Sequence, residues 1–123
     1  AAFAADLGVE IRLEVHGAVT CQPPNIKHIM DAANHPNALV CWNSNMDDVG
    51  PDGSIAENFA LLKDKIALVH ITELTNEYPW HEEMQLLKSI DYKGFTLAEI
   101  PESVESVRLM KYYRRLWEEL QRD

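Results

Sequence analysis

Ile66-Ala67-Leu68-Val69-His70-Ile71-Thr72-Glu73-Leu74 is the stretch whose reading decides the fold. Its short apolar run follows a charged helix end, as the sequence of a parallel strand covered on both faces does. His70 stands at the mouth of that run. Working outward, polar residues close three similar runs: Glu14 in IRLEVHG, Asn43 in ALVCWNSN and Glu99 in FTLAEI. The four positions are separated by 29, 27 and 29 residues, close to the roughly 30 residues of a strand, a crossover helix and two loops. Four polar groups therefore recur at equivalent ends of four successive βα units. The carboxyl ends of parallel strands are where ligands bind and catalytic groups collect.

The rest of the chain supports this division. Strands are expected near 9–15, 38–42, 66–71 and 95–100, and helices near 23–34, 54–64, 79–89 and 103–121. Pro23 and Pro24 suit a first helical turn, with Ile26, Ile29, Met30 and Ala33 facing inward and a stop near Asn34. Ser54 with Glu57 reads as a capping box for a helix that buries Ala56, Phe59 and Ala60. A helix entered at Pro79 carries Trp80, Met84, Leu87 and Ile90 toward the sheet, with Glu82 and Glu83 as its acidic first turn. Ser103 is the expected cap of the last helix, whose apolar stripe is Val107, Met110, Tyr113, Trp117 and Leu120.

Four βα units make half of an eight-stranded barrel, and half a barrel leaves two strand edges and an apolar face uncovered. Either a homodimer or a missing N-terminal half would complete the enclosure. A flat flavodoxin-like sheet ranks below both. The opening AAFAADLG reads as a helix end stopped by Gly8 rather than a signal peptide, and suggests a piece of a longer chain.

At 123 residues, 46% of them hydrophobic, the chain is sized for one domain, 1–123. Its 11 Lys and Arg against 20 Asp and Glu, a net charge of −9, argue against nucleic acid or an anionic membrane as a partner. No apolar run approaches the ~20 residues of a membrane span. Cys21 and Cys41 lack any paired motif and read as reduced thiols in a cytoplasmic setting.

LEVHG at 13–17, CWNSN at 41–45, VHITE at 69–73 and IDYKGFTLAE at 90–99 together resemble the xylose isomerase-like TIM barrels, the sugar phosphate isomerase/epimerase superfamily. They stand in that superfamily's order and spacing and cover nearly the whole chain, as its C-terminal half. The resemblance implies a divalent metal ion, Mn²⁺, Mg²⁺, Co²⁺ or Zn²⁺, held by Glu14, Asn43, His70 and Glu99. Mixed carboxylate and imidazole ligation suits such ions. An aspartate usually stands where this chain has Asn43, so one negative charge is absent. Asn76 occupies the place of an arginine that ketose epimerases often carry.

The implied reaction moves a proton on a carbon beside a carbonyl, through an enediolate, with Glu14 and Glu99 as the proton-handling pair. His16, Glu73, Asn45 and Trp80 are the candidate contacts to a sugar or sugar phosphate. A single glutamate at a strand end is usually just solvated, and a single histidine usually structural. It is the shared phase of the four positions that favours a site. A lyase acting on a keto-inositol, like inosose dehydratase, is the alternative within the fold. A non-catalytic half-barrel scaffold is the alternative outside enzymology.

Overall fold

The computed structural model describes residues 1–122; Asp123, the last residue of the expected domain, lies outside the described residues. Strands β1 (Ile11–Glu14), β2 (Ala38–Asn43), β3 (Ile66–Ile71) and β4 (Thr96–Ala98) form one parallel sheet in the order β1-β2-β3-β4. Helices α1 (Ala2–Asp6), α2 (Pro23–Ala33), α3 (Ala56–Leu62), α4 (Trp80–Ser89) and α5 (Ser106–Leu120) alternate with them. Strand order never reverses, so right-handed crossovers lay successive helices on one face. Accordingly α2 packs on α3, α3 on α4 and α4 on α5. This is barrel winding rather than the doubly wound flavodoxin-like pattern, which needs a reversal in strand order.

The helix-facing side of the sheet holds the core. Val40, Trp42, Val69 and Ile71 bury themselves against Ile26, Ile55, Phe59, Leu62, Met84 and Leu87. The Trp42 ring meets Phe59 edge-on, with centroids 5.5 Å apart. The opposite side carries the other parity of each strand. The register pairs Glu14 with Cys41, Asn43 with His70 and His70 with Leu97, and side chains directly opposite in a parallel pair share a face. No layer covers that second face among the described residues. The β4 edge shows the consequence, with Phe95 74% and Leu97 44% exposed.

Several local expectations are corrected by packing. Lys27, Met30 and Asp31 line the groove against Leu61 and Leu62 of α3, which leaves Ile29 on the opposite flank of α2, exposed, as Ala33 also is. Ala60 is exposed too. Val107 and Met110 of the expected α5 stripe are exposed because α5 touches the sheet with its second half. There the Tyr113 hydroxyl lies 2.9 Å from both the Ile71 and Thr72 carbonyl oxygens, shares its one proton between them and fastens α5 to the end of β3.

The cap of α3 also differs. Helix α3 begins at Ala56, and the Ser54 hydroxyl accepts the Ala56 N–H at 3.1 Å. The reciprocal partner is Glu82 of α4 rather than Glu57: it accepts from the Ser54 hydroxyl and, at 3.0 Å, from the Ile55 N–H. Ser103 accepts the Glu105 N–H at 3.2 Å and shapes the turn before α5, which starts at Ser106.

Candidate metal centre

The uncovered face ends in a cluster at the carboxyl rim of the sheet. His70 closes β3, Asn43 closes β2, Glu14 closes β1 and Glu99 follows β4, its N–H continuing the ladder to the Ile71 carbonyl at 2.8 Å. Strand pleating turns all four side chains to the same side. The His70 Nδ1 lies 3.0 Å from Glu14 Oε1 and 3.4 Å from Glu99 Oε2. One ligand atom each from Glu14, His70 and Glu99 fall within 4.8 Å of one another, close enough to share a small cation. Glu99 is half exposed, since β4 is an edge and nothing lies beyond it among the described residues.

Asn43 completes the cluster from beneath, 1% exposed. Its Nδ2 donates to Glu14 Oε1 at 3.0 Å, and lies 3.4 Å from the His16 Nδ1. Its Oδ1 is buried with no hydrogen-bond partner. The two ends of a carboxamide exchange by a half-turn about χ2, so this side chain can offer an acceptor where it now offers a donor. An orphaned buried acceptor beside two carboxylates and an imidazole nitrogen is a donor set that fits a divalent cation.

The remaining candidates separate. His16 reaches the cluster through Asn43, while Glu73 is exposed on the loop after β3. Asn45 is a loop fastener: its Nδ2 donates to the Val15 and Asn43 carbonyls, both at 2.8 Å. Trp80 is not brought to the rim. It is buried against Tyr78, with its indole N–H given to Asn76 Oδ1 at 2.9 Å, because its position on α4 points into the core. Asn76 is consumed by that same loop, also accepting the Tyr78 N–H.

Two buried acids near the rim escaped the sequence. Asp48 accepts the Asn45 N–H at 2.9 Å and the Tyr78 hydroxyl at 3.3 Å, and burial pushes its carboxyl up to about 7. Glu83 is fully buried, which raises its carboxyl to about 8, with Ser44 bonding opposing the shift and nearby Asp48 adding to it. The signal for Glu83 was present: it lies on the same helical stripe as Trp80 and Leu87, and a carboxylate at a core position calls for a buried partner.

The comparisons with solved structures bear on the fold. D-Allulose 3-epimerase from Methylomonas sp. superposes with a TM-score of 0.67 at 21% identity, over 94% of this chain and 44% of that one. The same enzyme's structure in complex with D-allulose gives 0.71 at 24%, over 98% and 46%. 3-Keto-D-glucoside 4-epimerase from E. coli, in its apo form, gives 0.73 at 15%, over 96% and 48%. This chain has the fold of half a TIM barrel. The half-barrel spans less than half the length of each of these structures. No family model matches its sequence, and no curated protein does. No helix of the half-barrel, among the described residues, is long and apolar enough to cross a membrane.

Proposed function

We propose that the chain is the C-terminal half of a metal-dependent sugar or sugar phosphate isomerase or epimerase, with Glu14, Asn43, His70 and Glu99 holding the ion. The convergence of these side chains, each from the end of a different neighbouring strand, carries the reading. Bound there, a divalent cation would act as a Lewis acid toward developing negative charge and orient sugar oxygens.

The chain's own residues supply the rest. Glu14 and Glu99 flank His70 from strands on either side, so one carboxylate can take a proton from a carbon beside a carbonyl while the other returns it, through an enediolate. Without the ion, Asn43 holds Glu14 in place with its amide N–H. His16 and Glu73, beyond the ligands, are suited to sugar hydroxyls. The exposed face and edge strands call for an apolar cover: a second copy of this chain, or an N-terminal half-barrel. Both cysteines are free thiols, in keeping with a cytoplasmic setting.

The test is proton exchange. Incubated with Mn²⁺ and a ketohexose in D₂O, the chain should place deuterium on a carbon next to the carbonyl, and Glu99→Gln should abolish it. Metal binding without any such exchange would favour the second reading, a half-barrel scaffold, for which the openness of the inner face speaks. Loss of a hydroxyl in place of epimerisation would favour the lyase.

A further inference from the structure

Behind the candidate ligands lies a buried relay that no part of the proposed chemistry uses. The Ser44 hydroxyl sits 2.8 Å from the His70 carbonyl oxygen and 3.0 and 3.1 Å from the two carboxylate oxygens of Glu83. The Ser44 N–H also bonds the His70 carbonyl, at 3.2 Å. Ser44 follows Asn43 directly, so this node joins the two strand ends on which Asn43 and His70 stand. The Thr72 hydroxyl adds a bond to the Ser44 carbonyl at 3.3 Å.

Counting hydrogens decides the state of the node. A serine hydroxyl has one proton to give and two lone pairs to receive with. With its proton given to the His70 carbonyl, the short contacts to Glu83 require a donor on the glutamate. With its proton given to an ionised Glu83, the His70 carbonyl keeps the Ser44 N–H alone and a negative charge stays in the core. That charge would face Asp48 and the Tyr78 and Tyr113 rings, with the Trp42 indole N–H as a further donor but no cation among its named neighbours.

We propose that Glu83 is a positioning residue for the rim. As a neutral acid it donates to Ser44 Oγ, which turns the Ser44 hydroxyl onto the His70 carbonyl and locks the ends of β2 and β3 at the spacing the ligands need. Burial of the carboxyl, which raises its proton affinity, supports the assignment.

The consequence for metal affinity rests on the metal-site reading above; the consequence for backbone order does not. The test compares Glu83→Gln, Glu83→Leu and Ser44→Ala by Mn²⁺ titration and by hydrogen exchange of the Ser44 amide. The glutamine amide can donate to Ser44 as the neutral acid does, so Glu83→Gln should keep wild-type values in both measurements. Glu83→Leu fills the volume without a donor, and should weaken Mn²⁺ binding about 10-fold, as loss of a group that orients a ligand does. It should also speed Ser44 exchange by about 10-fold. Ser44→Ala, a small change that removes only the hydroxyl, should weaken Mn²⁺ binding by about 10-fold too, and decides the matter where the leucine variant fails to fold. Wild-type protein that binds no Mn²⁺ would remove the metal reading and leave the exchange comparison to decide this one. Glu83→Gln as damaging as Glu83→Leu, or Leu and Ala variants that match wild type, would overturn it.

Discussion

Asn43→Asp is the most informative single change, because it puts a second carboxylate where an amide N–H now touches Glu14 Oε1 at 3.0 Å. Two unit charges at that separation repel by about 5 kcal/mol at an effective dielectric near 20. Proton uptake limits the damage: at pH 7, protonating an ordinary carboxyl of pKa near 4 costs roughly 4 kcal/mol, so that is the ceiling on the loss without metal. At pH 5 the ceiling falls to about 1.4 kcal/mol. For a chain of this length, each kcal/mol moves Tm by about 4 °C. Melting followed by circular dichroism in EDTA should therefore place the variant up to ~15 °C below wild type at pH 7, and within a few degrees at pH 5. Adding Mn²⁺ should recover most of the difference, since a divalent cation neutralises the pair it sits between. A variant whose Tm ignores both pH and Mn²⁺ would refute the idea that Asn43 and Glu14 share one ion site.

Other expectations follow from the packing. Folding stability should fall as pH rises from about 4 to about 8. Glu83 and Asp48 keep their protons when folded, up to about 8 and about 7, while the unfolded chain releases them near pH 4. Urea unfolding at pH 5.5 and 8.5 checks this, and Glu83→Gln should remove part of the slope, which amounts to up to ~1.4 kcal/mol per pH unit for one group. Stability that rises across that window would contradict the buried neutral acids. Trp42→Ala should cost about 3–5 kcal/mol in the same assay, as the ring is fully buried against Phe59. Leu97→Glu on the open face should shift sedimentation toward the 14.0 kDa monomer if a second copy covers that face, and leave the mass unchanged if the wild-type chain is already monomeric.

The strand ends were legible from sequence because each apolar run stops at a polar residue, and the spacing of Glu14, Asn43, His70 and Glu99 carries the phase of the pleat. What was not legible depends on partners remote in the chain. Ser54 looks locally paired with Glu57, yet Glu82, 28 residues away, takes the role. Glu83 looks like an N-terminal helix charge, and becomes a buried acid only because Ser44, 39 residues earlier, meets it. Ile29 and Val107 fit the helical period but are exposed among the described residues, on flanks turned away from the core. By sequence, Trp80 fits both a core position and a sugar wall. The indole bond to Asn76 and its contact with Tyr78 put it in the core.

The central claim is that four side chains from four neighbouring strand ends hold one ion. Crystals of the chain soaked in Mn²⁺, with anomalous differences measured at the manganese edge, test it directly. The account predicts a single strong peak bounded by Glu14, Asn43, His70 and Glu99, absent in Glu99→Gln. No peak there at saturating Mn²⁺, or a peak held only by other acids such as Asp47 and Asp52, would contradict it.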